Sequence, residues 1–178
     1  MRCFVSIDIP KEVQEVIKEI QNLLPVFKGK KTELQNLHLT LKFLGEVDGV
    51  ILEKVKNRLK KIRFQEFTTE LDYLGFFDNS KYGVVWIFIP NCEKLQKKVD
   101  DVLEGLFLKE KRFMSHLTIA RVKFLQNKKQ FLRKLKTIKI PKTSFKVNEF
   151  RLKKSDLAST GPFYRTLEIY KLLNEKYN

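Results

Sequence analysis

The sequence predicts an α+β fold of two pseudo-symmetric lobes flanking a shared basic cleft. Three observations predict it. Stretches of strand-like alternation and of helical spacing follow one another along the chain. Their order repeats once, with about 78 residues between equivalent positions. No Gly-, Ser- or Pro-rich linker separates the copies, so the 178 residues are expected to form one domain. Its first half is about 1–77 and its second about 81–178.

The elements follow from local pattern. Cys3, Val5, Ile7 and Ile9 alternate as a strand over residues 3–9. Pro10 suits a helix start, and Val13, Val16, Ile17, Ile20 and Leu24 follow at helical spacing until Pro25. Residues 26–36 read as a loop, 37–44 as a strand, and Ile51, Leu52, Val55, Leu59 and Ile62 as a helix. Phe67, Thr69, Leu71 and Tyr73 alternate as a strand that ends near the turn Asp78-Asn79-Ser80. The order then restarts: strand 82–90, helix 95–106, strand 115–123, helix 127–136, and a strand through Phe145, Val147 and Glu149. Leu167 and Ile169 mark a last strand, after the turn Ser159-Thr160-Gly161-Pro162. The spacing is regular: His38 precedes Phe67 by 29 residues, and His116 precedes Phe145 by 29.

Composition narrows the partner. Lys and Arg total 36 against 21 Asp and Glu, a net charge of +15 spread over the whole chain. Such a surface favours a polyanion, and charge alone does not separate DNA, RNA and an acidic membrane. The apolar runs are too short for a membrane span, and the N-terminus does not read as a signal peptide, so a cytoplasmic location is expected. Cys3 and Cys92 are the only cysteines, and they read as buried thiols rather than a disulfide or a metal pair.

The two histidines carry the chemistry. One sits in Leu37-His38-Leu39-Thr40-Leu41, the other in Ser115-His116-Leu117-Thr118-Ile119. With nine threonines in the chain, finding one two places after each histidine, at the same point of both repeats, is a specific signal. Side chains at i and i+2 of a strand share a face, so each strand presents an imidazole and a hydroxyl opposite a row of apolar side chains, Leu37, Leu39, Leu41 and Phe43 on the first strand. Aimed at one cleft, the pair suits phosphodiester chemistry. One imidazole takes a proton from an attacking oxygen while the other protonates the leaving oxygen. The Thr hydroxyls donate to phosphate oxygens. Lys42 falls on the His38 face by alternation. Arg121 has the wrong parity and reaches the cleft only if its strand ends or bulges near Ala120. Lys28, Lys30 and Lys31 are either an RNA-backbone contact or a solvated loop. Among Phe113, Tyr73, Phe76, Phe77 and Trp86, Phe113 is preferred as a base-stacking residue because it lies three residues before His116.

At these residues the chain resembles the two-histidine phosphoesterase superfamily, and within it the RNA 2′,3′-cyclic phosphodiesterases, also called 2′-5′ RNA ligases. His38-Leu39-Thr40-Leu41-Lys42-Phe43-Leu44-Gly45 is similar to the first signature of that family, and His116-Leu117-Thr118-Ile119-Ala120-Arg121 to the second. Arg2 to Asp8 is similar to its first strand. Ser155-Asp156-Leu157 and Gly161-Pro162-Phe163-Tyr164 are similar to its C-terminal segment. The resemblance implies antiparallel sheets with helices outside, His38 and His116 as acid and base, and Thr40, Thr118 and Arg121 as phosphate ligands. It implies an RNA substrate with a 2′,3′-cyclic phosphate end, tRNA fragments among the candidates, opened to a 2′-phosphate. A 5′-hydroxyl in place of water gives a 2′-5′ linkage without ATP.

No cofactor and no metal are expected. A P-loop is absent from the sequence, and no clustered carboxylates suggest a magnesium or zinc site. The protein is expected to act as a monomer. Two alternatives compete: a non-catalytic RNA-binding module, and a phosphodiesterase for small cyclic nucleotides.

Overall fold

The computed structural model describes residues 1–78, 82–158 and 161–174. The first half runs β1 (Arg2–Asp8), α1 (Lys11–Leu23), β2 (Lys28–Lys31), β3 (His38–Glu46), α2 (Gly49–Leu59), β4 (Phe67–Leu71) and β5 (Leu74–Asp78). The second runs β6 (Gly83–Phe88), α3 (Glu93–Val102), β7 (His116–Phe124), α4 (Lys128–Thr137), β8 (Thr143–Val147) and β9 (Glu149–Ala158), followed by β10 (Gly161–Lys171).

Local chemistry accounts for the helices. Val13, Ile17 and Ile20 give α1 one buried stripe, and Leu52, Val55 and Leu59 do the same for α2. Each such side chain, fully buried, stabilises the fold by about 1.5–3 kcal/mol. α2 and α4 start alike: the side chain of Asp48 accepts from Ile51 N at 2.8 Å, and that of Asn127 accepts from Gln130 N at 2.9 Å.

The strands form an eight-stranded antiparallel sheet in the order β10-β9-β1-β3-β7-β6-β5, with β2 also on β7. β4 and β8 form a separate two-stranded sheet. The closing strands are exchanged: β9 of the second half pairs with β1 of the first, and β5 of the first pairs with β6 of the second. Within the sheet, β3 and β7, the strands that carry the histidines, pair through Leu39 and Leu117. Leu39 and Leu117 are equivalent residues, so the pseudo-two-fold axis passes between them.

Several boundaries differ from expectation. The loop at 26–36 contains β2, which joins the sheet through backbone pairing although its sequence Lys-Gly-Lys-Lys has no apolar side chain. The strand through Tyr73 is two strands, because β4 belongs to the small sheet and β5 to the large one. Glu149 opens β9 instead of ending β8. The turns predicted at 78–80 and 159–162 fall partly outside the described residues. Among the described residues, no helix is long and apolar enough to cross a membrane.

Candidate active site

β3 and β7 each begin with a histidine, and each carries a bulge at the same place. On β3, Val5 pairs with Lys42 and Ser6 with Thr40, so Leu41 is the extra residue. On β7, Val85 pairs with Ala120 and Trp86 with Thr118, so Ile119 is extra. The bulge reverses the alternation. His38 and Thr40 face the cleft, Leu41 and Lys42 both point to the core, and Phe43 faces the cleft again. His116, Thr118 and Arg121 repeat this, with Ile119 and Ala120 buried.

Arg121 therefore reaches the cleft, by the bulge that its parity required. The same bulge removes Lys42 from it. Lys42 is 7% exposed and pairs with buried Asp100, and its Nζ also donates to Leu108 O at 2.7 Å. Lys42 is thus a corrected expectation. Phe113 is another: it packs against the core and does not line the cleft.

The cleft has a volume of about 660 Å³ and contains both histidines and both threonines. Each imidazole is anchored in the same way. His38 Nδ1 donates to Asn36 O at 2.7 Å, and His116 Nδ1 donates to Met114 O at 2.8 Å. A carbonyl can only accept, so the proton sits on Nδ1 and Nε2 is left for a ligand. Rings wall both sites. Phe4 and Tyr164 lie 4.9 and 5.0 Å from the His38 ring, and Phe77 meets the His116 ring edge-on at 5.1 Å. Burial pushes His38 down to about 4; its bond to the Asn36 carbonyl opposes the shift and nearby Lys153 adds to it.

Other lining groups do not stand out in the sequence. Phe43, Tyr82 and Tyr164 face the cleft, and Tyr82 lies under the Arg121 guanidinium at 5.8 Å. A signal for Phe43 exists: it stands five residues after His38, as Arg121 does after His116. Of the other aromatic candidates, Phe77 lines the cleft, whereas Tyr73 stacks on Phe88 and Phe76 packs on Phe131. Trp86 is buried beneath Phe77. Lys30 and Lys31 line the cleft, with Lys30 paired to Glu33 at 2.7 Å and Lys31 bonded to Asn22 at 3.0 Å. Lys28 lies over the ring of Phe124 instead. Among the described residues, no group of three or more His, Cys, Asp or Glu is arranged to hold a metal ion.

Known proteins resemble this chain. The LigT like phosphoesterase family matches the chain twice, at residues 7–86 and 88–164. An RNA 2′,3′-cyclic phosphodiesterase of Methanocaldococcus jannaschii is 37% identical over 173 residues, covering 94% of this chain and 99% of that protein. The crystal structure of TT0787 of Thermus thermophilus superposes with a TM-score of 0.81 at 26% identity, covering 98% of this chain and 100% of that one. Escherichia coli LigT complexed with 3′-AMP gives a TM-score of 0.75 at 27% identity, over 96% of each chain. With both histidine strands inside the matched segments, the chain belongs to the LigT-like phosphoesterase family.

Proposed function

We propose that the protein is an RNA 2′,3′-cyclic phosphodiesterase that opens a terminal cyclic phosphate to a 2′-phosphate. The observation that carries this reading is the pair of His-x-Thr strands facing one cleft, each imidazole anchored through Nδ1 with Nε2 turned to the ligand space. The name of the M. jannaschii relative and the 3′-AMP bound by E. coli LigT support the substrate class.

The reaction balances on these groups. Water attacks phosphorus, a new P–O bond forms, and the P–O3′ bond breaks. The attacking water loses its proton to one imidazole, and O3′ gains one from the other. Held low by burial, His38 is neutral at working pH and suits the base; His116 then supplies the proton. Thr40, Thr118 and Arg121 stabilise the charge on the non-bridging oxygens. A 5′-hydroxyl in place of water forms a 2′-5′ linkage by the same proton transfers. We further infer that the chain is a single duplicated domain, a reading supported by the exchange of β5 and β9 between halves.

The test is an oligoribonucleotide ending in a 2′,3′-cyclic phosphate, incubated with the protein in excess EDTA. Release of a 2′-phosphate end is expected. A protein that binds the RNA without turnover is the binding module instead. Turnover of cyclic mononucleotides alone identifies the small-nucleotide phosphodiesterase. Fragments of tRNA are the substrates to try first.

A further inference from the structure

β2 has no counterpart in the second half, where residues 103–115 connect α3 to β7 without a strand of their own. It buries nothing: all four of its residues are exposed. Yet it is bolted in place. Gln21, only 4% exposed, donates from its amide to Thr32 O and to Ile119 O, each at 2.8 Å, and so ties the end of β2 to the bulge of β7. Gly29 lies so close to β7 that a Cβ there would sit 2.1 Å from Arg121 O. A strand that adds no core and is held this firmly matters for what it presents.

It presents Lys30. Lys30 is the direct cross-strand partner of Arg121, and both line the cleft. Like charges placed opposite each other on adjacent strands repel. An anion between them would turn that repulsion into attraction. Glu33 meets part of the need by pairing with Lys30. The Lys30 ammonium also reaches across the cleft mouth, where a Cβ on Gly161 would lie 3.4 Å from it. It therefore stands beside Arg121 and near Gly161, at the start of β10.

We propose that Lys30, alongside Arg121, forms a second phosphate subsite that holds the phosphate on the 5′ side of the terminal nucleotide. The proposal rests on the RNA reading above and names how the chain continues out of the site. Thr40, Thr118 and the imidazoles handle the terminal phosphate, and β2 holds the next one. The ligand class is a nucleotide bearing phosphates on both the 3′ and the 5′ side.

The test uses two unreactive ligands, adenosine 3′-phosphate and adenosine 3′,5′-bisphosphate, titrated into the full chain by calorimetry at low salt. In the wild type the second phosphate is expected to tighten binding about five- to tenfold, the range of an ion pair near a surface with a charged hydrogen bond. In Lys30→Gln the ratio should fall below about twofold, and Lys30→Arg should restore it. Glu33→Gln should raise the ratio, because it removes the competing carboxylate. Equal ratios in wild type and Lys30→Gln, or no gain from the second phosphate in the wild type, overturn the proposal. Lys30 is exposed, so circular dichroism is sufficient to check that its variants fold. Failure of the phosphodiesterase reading appears separately, as absent turnover of cyclic-phosphate RNA by a wild type that still distinguishes these two ligands.

Discussion

The two halves use one backbone plan and surround their histidines differently. Beside His38 on the neighbouring strand stands Asp8, which accepts from Arg151 at 2.9 Å and from Lys153 at 2.6 Å. Beside His116 stands Phe88, with Tyr73 stacked on it at 5.1 Å. Ser6 lies opposite Thr40, where Trp86 lies opposite Thr118. Phe43 occupies the place in the first half that Arg121 occupies in the second. What the halves share is the bulge, the His-Thr face and the carbonyl that fixes Nδ1. What they do not share is the neighbourhood: an ion cluster on the strands beside His38 and an exposed phenyl ring in the cleft, stacked rings beside His116 and a guanidinium in the cleft. A symmetric scaffold thereby encloses a cleft whose two sides differ.

The largest effect expected is common to both halves. His38→Ala and His116→Ala should each lower turnover of cyclic-phosphate RNA by about 10²- to 10⁴-fold while leaving much of the affinity intact. Steady-state kinetics on matched preparations checks this. A variant that keeps near-wild-type turnover would remove its half from the chemistry.

Next comes the core side of the bulge, where Lys42 and Ala120 are equivalent. Lys42→Met leaves Asp100 buried without its partner and should cost about 3–5 kcal/mol in urea unfolding. Lys42→Met with Asp100→Leu should recover much of that loss, since an apolar pair of similar volume replaces the ions. Ala120 makes no such pair, and Ala120→Ser should cost far less. Equal costs at the two positions would show that the halves do not differ in this respect.

The cleft side of the bulge gives a smaller effect. Arg121→Ala should raise KM for the cyclic phosphate about 10- to 100-fold, the scale of a lost charged hydrogen bond to an oxyanion. Phe43→Ala should raise it only a few-fold, because that ring is 75% exposed and carries no charge. Similar losses from both variants would erase this difference between the two sides of the cleft.

A further effect is on stability against pH. The His38 pKa falls from 6.5 to about 4 on folding, so between those values the unfolded chain binds more protons. Stability is then unaffected by this group above about pH 6.5 and declines as pH falls towards 4. Urea midpoints measured across that window should drop on acidification in the wild type and drop less in His38→Gln. Parallel curves for the two proteins would place the titrating group elsewhere.

Much of the site is legible in the sequence because strand alternation is local. His38 with Thr40, and His116 with Thr118, lie before the bulge, so period-two counting puts each pair on one face whatever the strand meets. The helices are legible for the same reason, from stripes such as Val13, Ile17 and Ile20. Beyond the bulge the count fails. A bulge is a mismatch between two paired strands, and one strand's residues do not announce it. Counting therefore puts Lys42 in the cleft when it belongs to the core, puts Phe43 on the apolar face when it stands in the cleft, and leaves Arg121 conditional. Phe113 fails differently: closeness in sequence to His116 says nothing about direction, and the core takes the ring. β2 escapes the pattern because backbone pairing to β7, fixed by Gln21 and Gly29, makes a strand of four exposed residues without apolar alternation.

Spacings of a few residues, and counting between copies, are enough to read the repeat, the helices and the two imidazole–hydroxyl faces from the residues alone. Which strands lie side by side, where the alternation reverses, and which cations reach the cleft emerge only in the folded chain. Those depend on pairing between segments far apart in the chain, such as Leu39 with Leu117 and Lys30 with Arg121.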